Sequence, residues 1–274
     1  PYVVWMALFT VIPIVIMVVY AFTTSSGGFT LDNFSQMGTY AVVFGRSFKL
    51  ALVATAICLL IGYPISCFMA REGARFQKIA MVLIMLPMWM NFLLRTYAWM
   101  SILENTGLLN RLFKAIGLID LVNRIFGTSF EYFPMINTQG AVVLGMVYNY
   151  LPYMIMPLYS VIVKIAPRLV EAAQDLGCNS RQVFGRVILP LSLPGIVSGV
   201  TMVFVPAVST FYISQKLGSA ATTLIGDVIE SQFKGAYNPN LGAAMSLVLM
   251  VLIFLCVGVM NRFTDDDGEE MVTL

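Results

Sequence analysis

The sequence predicts an all-α integral membrane protein with six transmembrane helices, on three observations. Of its 274 residues 59% are hydrophobic and only 11% charged, whereas an ordinary soluble domain has about a quarter of its residues charged. Apolar windows long enough to cross a bilayer core of about 30 Å, which takes roughly 20 helical residues, recur along the chain. The alternating ten-residue segments of a membrane barrel are missing, and only helices or closed barrels satisfy their own backbone in lipid.

The predicted spans are 2–22, 50–70, 79–101, 141–163, 187–214 and 241–260. The first opens at the start of the chain without an initiator Met, so we expect native residues to precede it; it is too long for a signal-peptide core. The third contains Arg95, the one charge inside a predicted span, near its outer end and within snorkelling reach. We expect Arg95 to be structural, paired with an acid such as Glu104. Residues 1–264 read as one membrane domain, and 265–274 as an acidic, solvated tail without order.

The segments after the second, fourth and sixth spans share one side, because an even number of spans separates them. They hold Arg71, Arg75, Lys78, Lys164, Arg168, Arg181, Arg186 and Arg262 in short connections. The other side holds Arg46, Lys49, Arg111, Lys114, Arg124, Lys216 and Lys234 in long ones. The totals scarcely differ, so density near the span ends decides, and both termini are expected in the cytoplasm. On the outer side Leu108, Leu109, Leu112, Phe113 and Ile116 recur at helical spacing, which predicts a short surface helix.

Composition also limits the chemistry. The chain has no histidine, the commonest general base and metal ligand, and no titratable constellation within the spans, so neither a metal site nor a membrane enzyme is expected. Cys58, Cys67, Cys178 and Cys256 lack CxxC spacing and read as reduced packing residues. A net charge of +2 carries no nucleic-acid footprint. Without GxxxxGK[ST] this chain has no P-loop for ATP.

The most informative stretch is the connection 165–186. Pro167 suits a first helical turn and Gly177 a helix-ending left-handed position, with a helix of about ten residues between them. Leu169, Ala173 and Leu176 share one face, and Arg168, Glu171 and Asp175 another. The pattern alone suits either a rigid lever driven by a motor protein or an amphipathic linker on the lipid surface.

Two spans also carry polar stripes. Asn149, Tyr153, Met156 and Ser160 align on the fourth, and Ser198, Thr201, Ser209 and Tyr212 lie near one face of the fifth. Such stripes face either a neighbouring helix or a translocation path. Gly195 and Gly199 form GxxxG and predict a close helix crossing. Asp227 and Glu230, three residues apart beyond the fifth span, either attract cations at an outer mouth or form a solvated helix face.

The segment Glu171-Ala172-Ala173, three residues, Gly177, then Leu189-Pro190 resembles the EAA signature of bacterial ABC-importer permeases, with Val187 in place of the usual Ile. More of the chain is similar to the B-type (PotB-like) permease subunits of spermidine/putrescine importers. The similarity lies in Pro87-x-Trp89-x-Asn91-x-Leu93-x-Arg95-x-Tyr97, in Val147 to Ser160, and in Phe211-Tyr212-x-Ser214 followed by Leu224-Ile225-Gly226. Relatives often place an acid after Phe-Tyr-x-Ser, where this chain has Gln215-Lys216.

The resemblance implies a type I ABC importer permease fold in the bacterial plasma (inner) membrane, with a cytoplasmic coupling helix between helices 4 and 5. Glu171, Ala172, Ala173, Gly177 and Asp175 would then transmit force from an ATPase subunit dimer, which binds the ATP and Mg; no cofactor belongs to this chain. It implies two further partners, a second, homologous (PotC-like) permease subunit and an extracellular or periplasmic polyamine-binding protein. A polyamine is a flexible multication, and aromatic faces stabilise ammonium groups without trapping them. The expected lining is therefore Trp89, Asn91, Tyr148, Asn149, Tyr153, Phe211 and Tyr212, with Asp227 and Glu230 at the outer mouth. The alternatives are the same machinery with another small organic cation, an amino-acid derivative or a metal chelate, and an ion-coupled secondary transporter.

Overall fold

A computed structural model describes residues 2–24, 27–236 and 238–272, with the side chains of 2, 3, 126, 261 and 263–272 outside the description. Among the described residues regular structure is helical apart from one Thr23–Phe29 bridge. In chain order the helices are α1 (Val4–Ala21), α2 (Ala41–Arg71), α3 (Ala74–Trp89), α4 (Phe92–Leu103), α5 (Leu108–Ala115) and α6 (Leu118–Phe126). They are followed by α7 (Gln139–Ile162), α8 (Pro167–Asp175), α9 (Ser180–Ser209), α10 (Tyr212–Leu217), α11 (Ile225–Lys234) and α12 (Pro239–Val272).

The core is a three-helix contact of α2, α7 and α9. Small residues let these helices approach. A Cβ on Gly62 of α2 would lie 3.1 Å from Cγ of Met154, and one on Gly199 of α9 would lie 2.7 Å from its Sδ. Met154, fully buried on α7, therefore fills the space that two glycines leave on opposite partners. A Cβ on Gly195 would lie 3.1 Å from the Pro157 carbonyl oxygen and from Val161, so the predicted GxxxG crossing is present, against α7. Hydrogen bonds tie the same helices: Tyr63 and Ser192 hydroxyls lie 2.8 Å apart, and Ser66 Oγ donates to the Ile155 carbonyl at 3.3 Å.

Helix α1 packs mainly on α12. Its apolar window is only 6% buried, against 50% for α7, so most of α1 faces outward. Its last carbonyls are capped by side chains from elsewhere. Asn240 Nδ2 donates to the Tyr20 and Thr23 carbonyls at 3.0 and 2.7 Å, and Asn33 Nδ2 to those of Ala21 and Thr23 at 3.0 and 3.1 Å.

Among the described residues five helices are long and apolar enough to cross a membrane without interruption, and a sixth span forms if α3 and the α4–α5 stretch count as one. That pair bends by 89°, where the sequence suggests one continuous helix over 79–101. The reason is local. Pro87 sits in the last turn of α3, Met90 and Asn91 take extended ψ values of 148° and 130°, and the Asn91 side chain accepts the Leu93 amide at 2.8 Å to cap α4. The fifth span likewise ends earlier than expected, at Ser209, because Thr210 is extended.

Beyond its span α12 continues through Val272, so the backbone of 265–272 is helical where sequence suggests a tail without order. Extending an existing helix avoids the cost of nucleating a new one. Residues 273 and 274 lie outside the described residues. The predicted surface helix is present as α5, followed by α6. Leu108, Leu112, Ile116, Leu121 and Ile125 are exposed, while buried Asn110 exchanges hydrogen bonds of 2.9 and 3.0 Å with the Phe133 backbone.

Candidate functional site

The helix between Pro167 and Gly177 is defined by local chemistry. Pro167 occupies the first turn of α8, where its missing N–H costs nothing. At the other end Gly177 has φ +83°, its amide donates to the Gln174 carbonyl at 2.8 Å, and the Cys178 amide donates to that of Ala173 at 3.0 Å. These two bonds form a Schellman motif, which needs a residue at ease with positive φ. The chain restarts at once through a capping box between Asn179 and Gln182, with both bonds at 2.9 Å. The result is a short helix that starts at Pro167 and leaves through two closely spaced backbone motifs at Gly177 and Asn179.

Glu171, Ala172, Asp175 and Gly177 are exposed on this helix and Ala173 is half-buried. Leu176 is 86% exposed and Leu169 48%, so two members of the predicted apolar face point away from the bundle. Val170 turns inward instead. With Glu171, Gln174, Cys67 and Arg71 it lines a cleft of about 510 Å³ between α8 and the ends of α2 and α7. Exposed apolar side chains thus stand beside exposed charges on α8, with a cleft beneath the helix.

The nominated pathway residues divide into separate groups. Tyr212 joins an aromatic cluster with Phe92 and Tyr97, at centroid distances of 5.8 and 6.3 Å. Tyr148 packs edge-on against Trp99 at 5.2 Å, and Tyr153 lies 6.5 Å from Tyr150. Trp89 is 71% exposed at the end of α3, and Asn91 is spent on capping α4. Asn149 is buried; its Nδ2 donates to the Gly145 carbonyl at 2.8 Å, and its Oδ1 has no partner.

Phe211 and Glu230 come together in a cleft of about 530 Å³ with Ser209, Ser246 and the apolar side chains of α9 and α12. Glu230 accepts from Gln215 Nε2 and pairs with Lys234 at 2.7 Å. Lys234 and then Gln215 hold its carboxyl below the usual range. Asp227 is buried, and its Oδ2 accepts the Leu224 amide at 2.8 Å, which caps α11, while its Oδ1 has no partner. Burial pushes this carboxyl up, and the Leu224 hydrogen bond opposes the shift. The two acids thus differ: Glu230 is paired and part-exposed, Asp227 enclosed and half-satisfied.

Arg95 does not pair with Glu104; the one ion pair among the described residues is Lys234–Glu230. Arg95 is buried, its Nε and Nη1 lack partners, and its Cζ lies 5.9 Å from the Phe92 centroid. The bend at Met90–Asn91 turns α4 away from α3 and carries Arg95 into packed surroundings. Sequence reasoning missed Tyr97 and Lys216, whose ammonium sits 5.5 Å from the Tyr97 ring centroid and 5.8 Å from that of Tyr212. Both stood in stretches quoted for the family resemblance, but only the i, i+4 spacing of Tyr212 and Lys216 hinted at a contact, and nothing in the sequence joined either to Tyr97.

Comparison with known proteins places this arrangement. The family model described as binding-protein-dependent transport system inner membrane component matches residues 62–266. The chain is 38% identical over 266 residues to the spermidine/putrescine transport system permease protein PotB of Haemophilus influenzae, covering 94% of this chain and 90% of that one. It is 37% identical over 259 residues to PotB of Escherichia coli, covering 92% and 90%. Among solved structures, a bacterial ABC transporter involved in import of the acidic polysaccharide alginate superposes with a TM-score of 0.74 at 17% identity, over 97% of this chain and 93% of that one. The MetNI methionine ABC transporter, in an inward-facing conformation, gives 0.59 at 17% identity, over 85% and 98%. At such identity these structures show a shared fold.

Proposed function

The chain belongs to the family of binding-protein-dependent transport system inner membrane components, and on that premise we propose that it is the permease subunit of an ATP-driven polyamine importer working by alternating access. The observation that carries the cargo is identity of 37–38% to spermidine/putrescine permeases over more than nine-tenths of the chain. The form of α8 supports the coupling. Its exposed face, with Glu171, Ala172, Asp175, Leu176 and Gly177, receives a separate ATPase dimer, and half-buried Ala173 keeps the helix close to the bundle. ATP hydrolysis belongs to that dimer.

In this reading the α8 end and both termini face the cytoplasm, and the α11 end receives a polyamine-binding protein. A second, PotC-like permease subunit completes the pathway. Closure of the ATPase dimer pushes α8, and the backbone motifs at Gly177 and Asn179 pass the displacement to α9. Of the two acids only part-exposed Glu230, already paired with Lys234, stands where a cation could meet it at the outer end, and aromatic faces hold ammonium groups weakly enough to release them.

Uptake by the reconstituted complex tests this. With its binding protein and ATP, it is expected to import radiolabelled spermidine or putrescine and to hydrolyse ATP faster when the binding protein is loaded. A purified binding protein that binds no polyamine would overturn the cargo assignment and favour another small organic cation, an amino-acid derivative or a metal chelate. Transport that continues without the ATPase would favour an ion-coupled carrier.

A further inference from the structure

Lys216 is placed unusually for a lysine. It lies one turn beyond Tyr212 on α10, is only half-exposed, and has no carboxylate within ion-pair distance among the described residues. Its ammonium instead rests on two rings that meet edge to face at 86°, 5.5 Å from Tyr97 and 5.8 Å from Tyr212. Two aromatic faces around one ammonium are the arrangement with which proteins bind free alkylammonium ligands.

Here the occupant is part of the chain. Tyr97 is 41% exposed, so the box opens to the surface. Phe92 continues the aromatic wall, 5.8 Å from Tyr212. The cluster's other cation, Arg95, is buried over Phe92 and held in place by its surroundings. Lys216 is on a flexible four-carbon stem, half-exposed, and can leave the box by rotation about that stem.

We propose that Tyr97 and Tyr212 form a binding site for an alkylammonium group of the cargo, and that Lys216 is a tethered competitor that fills it when cargo is absent. Cargo enters by displacing Lys216, whose charge then repels the bound ammonium from nearby. Both effects weaken cargo binding at this point and favour onward release. The inference rests on the polyamine reading above and adds the site, its ligand group and the residue that sets its affinity.

The test is equilibrium binding of radiolabelled spermidine to the assembled transporter in nanodiscs without the binding protein. Lys216→Met keeps the length and removes the charge, and it is expected to tighten binding roughly fivefold, in keeping with loss of one modest cation–π competitor. Lys216→Arg, which keeps a cation in the box, should bind like the wild type. Adding Tyr97→Leu to Lys216→Met should abolish the gain. Equal or weaker binding by Lys216→Met, or no binding by either protein, would overturn the proposal.

ATP hydrolysis stimulated by spermidine-loaded binding protein, measured on the same preparations, separates the two levels. Stimulation of the wild type with no affinity change in Lys216→Met defeats this proposal alone. Absence of stimulation in the wild type defeats the polyamine reading and this inference with it.

Discussion

The Ser47 hydroxyl accepts the backbone amide of Ile225 at 2.7 Å, joining residues 178 apart in sequence. Ser47 is fully buried near the start of α2, and Ile225 is the first residue of α11. Beside it Arg46 Nη1 donates to the Thr223 carbonyl at 3.4 Å. The segment that carries Asp227 and Glu230 is thus fastened to a core helix by its own backbone. Ser47→Ala leaves a buried amide without an acceptor, at a cost of about 1–3 kcal/mol. A lower melting midpoint of the assembled complex is expected, and an unchanged midpoint would show that water satisfies the amide.

The glycines of α9 make a graded prediction. Gly199→Val forces a side chain to within contact of Met154, and overpacking of this kind costs about 1–3 kcal/mol. Gly185 has nothing within 4 Å of its would-be Cβ, so Gly185→Ala should be tolerated or stabilise by about 0.5 kcal/mol. The yield and thermal midpoint of the purified complex separate the two. Equal behaviour would show that α7 and α9 do not meet at Gly199.

In the lever, strain and docking can be distinguished. Gly177→Ala places a Cβ at φ +83°, a cost of roughly 1–2 kcal/mol, and loosens the joint. Leu176→Ser changes a side chain that is 86% exposed and leaves the fold intact. Both are expected to lower ATP-dependent uptake at normal membrane abundance. Only Gly177→Ala should also lower the thermal midpoint.

Asp227 predicts a pH effect of definite sign. An unfolded aspartate titrates near 3.8, and burial raises the folded value. Between the two the folded chain holds the proton more tightly, so stability falls as pH rises through that window and the full cost is present above it. Asp227→Asn removes the charge and keeps an acceptor for the Leu224 amide. Its melting midpoint should exceed the wild type's at neutral pH, with a margin that shrinks toward pH 3.8. Glu230 has the opposite sign, since its lowered value gives stability that is lost on acidification.

Several elements were legible because their causes are local. Apolar length marked most of the spans, Pro167 and Gly177 bounded α8 to within a residue or two, and GxxxG marked the crossing at Gly195 and Gly199. The break at Met90–Asn91 was written in Pro87 and in the capping capacity of Asn91. It was hidden because the apolar run continues past it, and hydropathy responds to composition rather than to backbone angles. The continuation of α12 through Val272 had no local sign, since a charged run suits an exposed helix as well as a solvated coil.

By itself the sequence determined that this chain lies in a membrane, roughly where its apolar helices lie, and where the short helix between Pro167 and Gly177 begins and ends. Each of these follows from solvent transfer and backbone geometry within a few residues. Only the tertiary structure decided that Phe211 and Glu230 line one cleft, that Arg95 lies over Phe92 with no acid, and that Lys216 occupies a box of Tyr97 and Tyr212. Periodicity says which residues share a helix face. Which face meets which depends on how α2, α7 and α9 close around Met154, and that packing is a property of the whole chain.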